Sequence, residues 1–301
     1  MTPNNEIRGG IIAIDKPAGF TSQDAVNKIR RFYNTRQVGH TGTLDPMATG
    51  VLLVLVGRAV KASEYLMSGE KTYIAGIKLG ITTDTEDTSG NIITRTENIP
   101  SSEEFISVLS SFTGDILQVP PMYSALKVGG KKLVDLARKG IEVERQARDI
   151  HVSSIELLSG GYDEYQLKIC CSKGTYIRTL CKDIGDALSC GAAMSSLRRV
   201  SNGFFDIEDA HTIDKIESLS YDERIQLLIP VEKAFEDAPV LTLPPFYERL
   251  AQNGAHIYVD KIGAFAKVGE KFRMYGSGGF FALGEAREYQ GGIAVKPIKF
   301  L

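Results

Sequence analysis

The sequence predicts an α+β protein, with a mixed core over residues 1–235 and a small β-barrel over residues 240–301. Three observations predict it. Strand-sized apolar runs alternate with segments of helical spacing as far as Leu228. Two of those helical segments open on capping signatures. From Val240 onward the pattern changes to short apolar runs separated by glycine turns, which is the mark of a small all-β unit.

Gly10 to Asp15 reads as a buried strand, broken by Lys16-Pro17-Ala18-Gly19. A helix follows, because Thr21 and Asp24 form a capping box and Ala25, Val26, Ile29 and Phe32 recur at helical spacing. Gly39 to Gly50 is too long for a plain turn. Beyond it come a strand at Val51 to Val56, a helix near Val60 to Met67 and a strand from Lys71 to Leu79. Ser101-Ser102-Glu103-Glu104 caps a helix reaching Phe112. Pro120-Pro121 opens an irregular segment with the pair Gly129-Gly130 and a short helix near Leu133 to Lys139, stopped by Gly140, and it reads as an insertion. Strands at Asp149 to Leu158 and Tyr165 to Cys171 precede a helix near Thr179 to Leu188 and a strand from Ser196 to Phe205. An acidic helical stretch to Leu228 and the break at Pro230 mark the domain boundary. In the tail, Phe280 to Ala286 and Ile293 to Pro297 are the clearest strands.

The composition is that of an ordinary globular chain: 301 residues, 43% hydrophobic and 24% charged. No apolar run approaches the roughly 18 to 20 residues that span a bilayer. Met1 to Arg8 is short and polar, unlike a signal peptide, so the expected location is cytoplasmic. The cysteines Cys170, Cys171, Cys181 and Cys190 contain no C-x-x-C pair, which suggests neither a zinc site nor a disulfide framework. A net charge of -2 argues against coating nucleic acid through bulk positive charge. A local excess exists nonetheless. Lys127, Lys131, Lys132, Arg138, Lys139, Arg145 and Arg148 outnumber the acids between Met122 and Ile150, and form either a polyanion-binding patch or a solvated face.

The chemistry concentrates in the segment Gly39-His-Thr-Gly-Thr-Leu-Asp-Pro-Met-Ala-Thr-Gly50. It carries one carboxylate, Asp45. Pro46 pushes Asp45 out of the helical region, fixing its backbone and leaving its side chain to point into a cleft, although an Asp before Pro is also an ordinary turn starter. In Gly174-Thr175-Tyr176-Ile177-Arg178 a strand turns toward a helix. If Tyr176 to Arg178 is extended, both side chains project to one side, because strand faces alternate with period two. Such an arginine can pair with a buried carboxylate and keep it ionised, since an opposite charge within about 4 to 6 Å lowers an Asp pKa by about 1 to 3 units. The alternative is a surface arginine beside a core tyrosine. Tyr73, in Lys71-Thr72-Tyr73, is either core filling or a stacking platform for a planar ligand.

Other chemistries lack their signatures. There is no G-x-x-x-x-G-K-[ST], H-E-x-x-H or G-x-S-x-G, and His40, His151, His211 and His256 are scattered without ligand spacing. An acid-centred chemistry without metal or cofactor is what the sequence predicts.

Six motifs together resemble the TruB family of tRNA pseudouridine synthases, in that family's order. They are Asp15-Lys16-Pro17-x-Gly19-x-Thr21-Ser22, the Gly39 to Gly50 segment, Lys71-Thr72-Tyr73, Leu79-Gly80-x-x-Thr83-Asp84-Thr85, Gly174 to Arg178 and Leu197-Arg198-Arg199. The resemblance implies a pseudouridine synthase core, with a mixed, largely antiparallel sheet flanked by helices, and a PUA-like RNA-binding barrel in the tail. It implies isomerisation of the uridine at position 55 in the T arm of tRNA, with no cofactor or metal, no membrane association, no obligate protein partner and a monomeric enzyme. Asp45 matches the family's catalytic aspartate, which attacks the ribose C1', attacks the uracil C6 or takes the C2' proton. Arg178 matches its charge partner. Tyr73 resembles the tyrosine that stacks on the flipped uracil, Tyr176 and Leu197 match pocket-lining positions, and His40 matches the residue that fills the space left by the base. Lys16 and Lys61 match lysines that contact RNA phosphate or form internal ion pairs. The insertion, about residues 120 to 148, resembles a mobile thumb. The chief competing reading is a non-catalytic tRNA-folding or RNA-binding protein, against which the Asp45 and Arg178 pair argues.

Overall fold

The computed structural model describes residues 9–301 except Ser68, so Met1 to Arg8, read above as a polar start, lies outside the described residues. The core runs through β1 (Gly10–Lys16), α1 (Ser22–Phe32), β2 (Val38–His40), β3 (Thr49–Val56), a 3-10 turn (Gly57–Ala62), α2 (Ser63–Leu66) and β4 (Lys71–Leu79). A small hairpin of β5 (Ile81–Thr83) and β6 (Ile92–Arg95) leads to α3 (Ser102–Leu109) and β7 (Gly114–Gln118). Next come β8 (Lys127–Val128), β9 (Lys131–Lys132) and α4 (Leu133–Ala137), then β10 (Arg148–Gly161), β11 (Glu164–Cys171), α5 (Ile177–Ala187) and β12 (Ala192–Asn202). The core closes with β13 (Phe205–Asp206), β14 (His211–Thr212), α6 (Ile213–Ser218) and α7 (Tyr221–Gln226). The tail holds β15 (Val240–Thr242), α8 (Pro245–Gln252), β16 (Ile257–Tyr258), β17 (Lys271–Gly276), β18 (Gly279–Tyr289) and β19 (Gly292–Phe300).

One mixed sheet organises the core, in the order β14-β1-β3-β12-β4-β11-β10-β7, with β2 on β3 and β13 on β12. Most pairs are antiparallel; β1 with β14 and β3 with β12 are parallel. Both faces of its centre are covered, which explains why β1 and β3 read as continuous apolar runs rather than alternating ones. Ile12, Ile14, Leu52 and Val54 join the cluster under α1, α3 and α5. Ile11, Ala13, Val51, Leu53 and Leu55 join a second cluster on the other face, which also holds Phe235 and Leu283. Leu283 belongs to β18, so the tail sheet packs against the core. That sheet has the order β15-β17-β18-β19-β16 and its own apolar centre around Leu241, Phe272, Met274 and Val295.

Both expected capping boxes form, at Thr21 with Asp24 and at Ser101 with Glu104. The helix expected over Val60 to Met67 is instead a 3-10 turn followed by the single turn α2, with Gly57 entering at φ 64°. The acidic stretch splits into α6 and α7, because Ser220 and Glu223 make a fresh capping box just after Leu219 leaves the helical region. The strand expected at Ser196 begins earlier, at Ala192, and turns back at Gly203. Beyond β7 the chain leaves the sheet and returns at β10, where Arg148 pairs with Gln118, so residues 119–147 are an excursion between two neighbouring strands. Lys127, Lys131, Lys132, Arg138, Lys139 and Arg148 are all exposed there.

Candidate active site

The Asp45 segment is the connection of an antiparallel pair, because β2 and β3 absorb its two ends and leave residues 41–48 as the loop. Its backbone is pinned at several points. Thr41 N–H donates to the Leu53 carbonyl at 3.1 Å, and Gly19 N–H donates to the Pro46 carbonyl at 2.8 Å. Ser22 Oγ accepts from Leu44 N–H at 2.8 Å and donates back to the Leu44 carbonyl at 3.1 Å. The loop re-enters the sheet at Gly50 (φ 99°), where a Cβ would lie 2.1 Å from the Arg199 carbonyl oxygen, so only glycine fits. Asp45 is thereby held on a fixed backbone, with a side chain 34% exposed.

Lys16 is fully buried beneath this loop. Its Nζ donates to the carbonyls of Phe20 at 2.6 Å, Pro17 at 2.8 Å and Pro46 at 3.5 Å. Burial lowers its pKa to about 8, opposed by the Asp45 charge. Burial rules out the RNA phosphate contact; the ammonium braces the loop from inside.

Arg178 meets Asp45, though not from an extended segment. Tyr176 is extended and caps α5, and Arg178 stands in the first helical turn. Gln118 sets this geometry: its Oε1 accepts from Tyr176 N–H at 2.8 Å and its Nε2 donates to the Tyr176 carbonyl at 3.0 Å. The guanidinium, 6% exposed, then places Nε 2.9 Å from Asp45 Oδ2. Its other donors go to the Thr85 carbonyl at 2.9 Å and the Tyr123 carbonyl at 2.8 Å. The loop after β5 and the excursion after β7 are thus tied to one side chain. A second acid, Asp87, lies 3.9 Å from Arg178 Nη1 and is buried. Its Oδ1 accepts from Thr85 Oγ1 at 2.8 Å and Ser89 N–H at 3.0 Å. Burial raises the Asp45 pKa above the ordinary carboxyl value, the Arg178 charge opposes that, and Asp87 adds to it.

Tyr73 and Leu197 stand on one face of neighbouring strands, where Tyr73 pairs with Arg199 and Leu197 with Ala75. Both are buried. Burial raises both the Tyr73 and the Tyr176 phenols, and the Asp45 charge adds a smaller push to each. His40 ends β2 and accepts from Gly42 N–H through Nδ1 at 3.3 Å. Burial first, then the Arg199 charge, lowers its pKa, so the imidazole is neutral at pH 7. Lys61 is exposed on the 3-10 turn, and among the described residues no hydrogen bond or ion pair ties it to the others.

Gln118, Asp87, Glu86 and Arg199 are the members that the sequence reading did not single out. Glu86 accepts from Thr179 Oγ1 at 2.5 Å and takes a positive φ of 64°. The Thr83-Asp84-Thr85 motif, just upstream, pointed toward Glu86 and Asp87, and the Leu197-Arg198-Arg199 motif contains Arg199 without giving it a role.

An aspartate carboxylate paired with a buried guanidinium, on this sheet, puts the chain in the class of the pseudouridine synthases. The core and tail superpose on solved structures of the same overall architecture. Over 98% of this chain and 85% of the other, it matches a Cbf5-Nop10-Gar1 complex with a TM-score of 0.70 and 28% identity. An H/ACA RNP bound to a substrate RNA containing 2'-deoxyuridine gives 0.69 and 26% identity over 97% and 84%. Within the class, the chain belongs to the TruB family. Residues 30–177 match the TruB family pseudouridylate synthase N-terminal domain, and residues 178–236 match the tRNA pseudouridylate synthase B C-terminal domain. It is 41% identical to tRNA pseudouridine synthase B of Clostridium kluyveri over 93% of this chain and 96% of that one. To the protein of the same name from Aromatoleum aromaticum it is 42% identical over 92% and 88%. The chain is therefore an isomerase of the pseudouridine-forming kind.

Proposed function

We propose that this protein converts the uridine at position 55 in the T arm of tRNA to pseudouridine, acting on a nucleotide extruded from its stack. The observation that carries the proposal is the Asp45–Arg178 pair at 2.9 Å, with Tyr73 and Leu197 on one face of the neighbouring sheet strands. The reaction detaches a base, rotates it and reattaches it through carbon, so the nucleotide must enter a closed pocket. Asp45 supplies, as nucleophile or base, the electron pair that starts the detachment, and therefore has to be ionised where burial opposes ionisation. Arg178 works against burial and favours the ionised form. Tyr73 stacks on the uracil, and Tyr176 and Leu197 line its pocket. His40, neutral and at the mouth of the loop, fills the gap left in the RNA, while Lys61 meets phosphate.

Two further surfaces hold the RNA in this reading. The excursion over about residues 120 to 148 is a basic thumb hinged on the β7–β10 pair, and the PUA-like tail from Val240 is the second contact, beside a catalytic domain ending near residue 235. The second family match, ending at residue 236, supports that division. In this reading the enzyme works as a monomer, in the cytoplasm where its tRNA substrate is found. The test is to incubate a T-arm transcript with the protein and map pseudouridine by position. Product at position 55 is expected; product elsewhere, or none, overturns the assignment.

A further inference from the structure

Arg199 is the largest side chain in the protein that is less than 2% exposed. A charge buried this deeply is costly unless it is paired, yet among the described residues Arg199 forms no ion pair with a carboxylate. Its donors go elsewhere. Nε donates to the Val51 carbonyl at 2.6 Å, and Nη2 donates to the Gly42 carbonyl at 3.2 Å. Across the strand pair it stands opposite Tyr73, so the two side chains leave the same face of the sheet as neighbours. One rigid fork therefore ties the sheet at β3 to the start of the Asp45 loop, beside Tyr73.

We propose that Arg199 is a positioning residue of the isomerisation, holding its cross-strand neighbour Tyr73 and the Gly42 end of the Asp45 loop in a single register so that ring and carboxylate meet the same uracil. This rests on the functional reading above for its catalytic consequence, but the contact it invokes is a property of the free protein. Lysine cannot replace the fork, because one ammonium on a flexible stem cannot serve the Val51 and Gly42 carbonyls in two fixed directions. Displacing a reacting group by about 1 Å costs about a hundredfold in rate. Gly42 leaves room for this arrangement, with its nearest Arg199 nitrogen 3.7 Å from where a Cβ would stand.

Arg199→Lys, Tyr73→Phe and the double variant separate positioning from mere support. In single-turnover reactions with a T-arm transcript, Arg199→Lys should lower the rate about tenfold to a hundredfold, the loss of one or two charge-assisted hydrogen bonds. RNA affinity, measured separately, should stay within about threefold, since Arg199 does not reach the surface. In the Tyr73→Phe background the same substitution should cost less than it does in the wild type, because one of its two targets is altered already and only the Gly42 end remains to be lost. Equal losses in both backgrounds, or a folded Arg199→Lys at the wild-type rate, overturn the proposal. A second readout needs neither activity nor the arginine variant: in spectra of protein labelled with 15N-arginine, the Arg199 guanidinium resonance should move in Tyr73→Phe, and an unmoved resonance overturns the contact. A wild type that makes no pseudouridine would sink the functional reading and leave this resonance test to decide the contact by itself.

Discussion

Replacing Arg178 with methionine tests whether a guanidinium keeps Asp45 working. The substitution preserves much of the side chain's volume and removes its charge. It leaves Asp45 without its 2.9 Å partner and strands the carbonyls of Thr85 and Tyr123, each bonded within 3.0 Å. Breaking a buried pair by removing one partner costs about 3 to 5 kcal/mol. Asp45 keeps a third of its side chain exposed, and solvent there offsets part of that cost. The lower end, about 3 kcal/mol, corresponds to a rate loss of about a hundredfold. The pH profile should move as well. Burial already raises the Asp45 pKa and Arg178 opposes it, so removing Arg178 raises it further. Because only the ionised carboxylate acts, the acidic limb of the single-turnover rate should shift to higher pH. Arg178→Lys, which keeps charge without the fork, should fall between wild type and Arg178→Met. A folded Arg178→Met with the wild-type rate and the wild-type acidic limb would refute the reasoning.

Gln118→Ala should destabilise the protein by about 2 to 3 kcal/mol in denaturant unfolding, because it abandons both backbone groups of Tyr176 at a buried site, and it should slow the reaction by loosening the start of α5. Lys16 predicts a pH dependence with a definite sign: its folded pKa of about 8 lies below the unfolded value of 10.5, so the native state binds fewer protons across that window. The stability of wild type relative to Lys16→Met should therefore rise with pH between those values, and a fall would contradict the buried placement. Lys131→Gln with Lys132→Gln, both on the exposed β9, should reduce the slope of log affinity against log salt by about 1.4 to 1.8 if the thumb meets phosphate. An unchanged slope would remove it from the interface.

How much of this was legible depended on whether a residue's role is local. Lys71 to Leu79 reads as a strand with the bounds it has, and the boxes at Thr21 and Ser101 announce α1 and α3, because those signals lie within a few residues. Asp45 was legible for the same reason, standing ahead of Pro46 in a long glycine-rich segment. Arg178 was found but seated on the wrong element. What turns Tyr176 into a helix cap is Gln118, a partner 58 residues away that no neighbouring pattern marks. Asp87 was missed because its meaning comes from Arg178, and Lys16 was left between two roles because a lysine in sequence does not disclose its burial. The tail was legible as strands and turns, while its packing through Leu283 against Phe235 needed the assembled sheet.

The most direct test of the central claim is Asp45→Asn under single-turnover conditions, with pseudouridine mapped at position 55 of a T-arm transcript. The amide keeps the shape of the side chain and removes the charge that Arg178 holds. The account predicts an RNA-bound complex in which position 55 remains uridine. Pseudouridine at that position at the wild-type rate would contradict it.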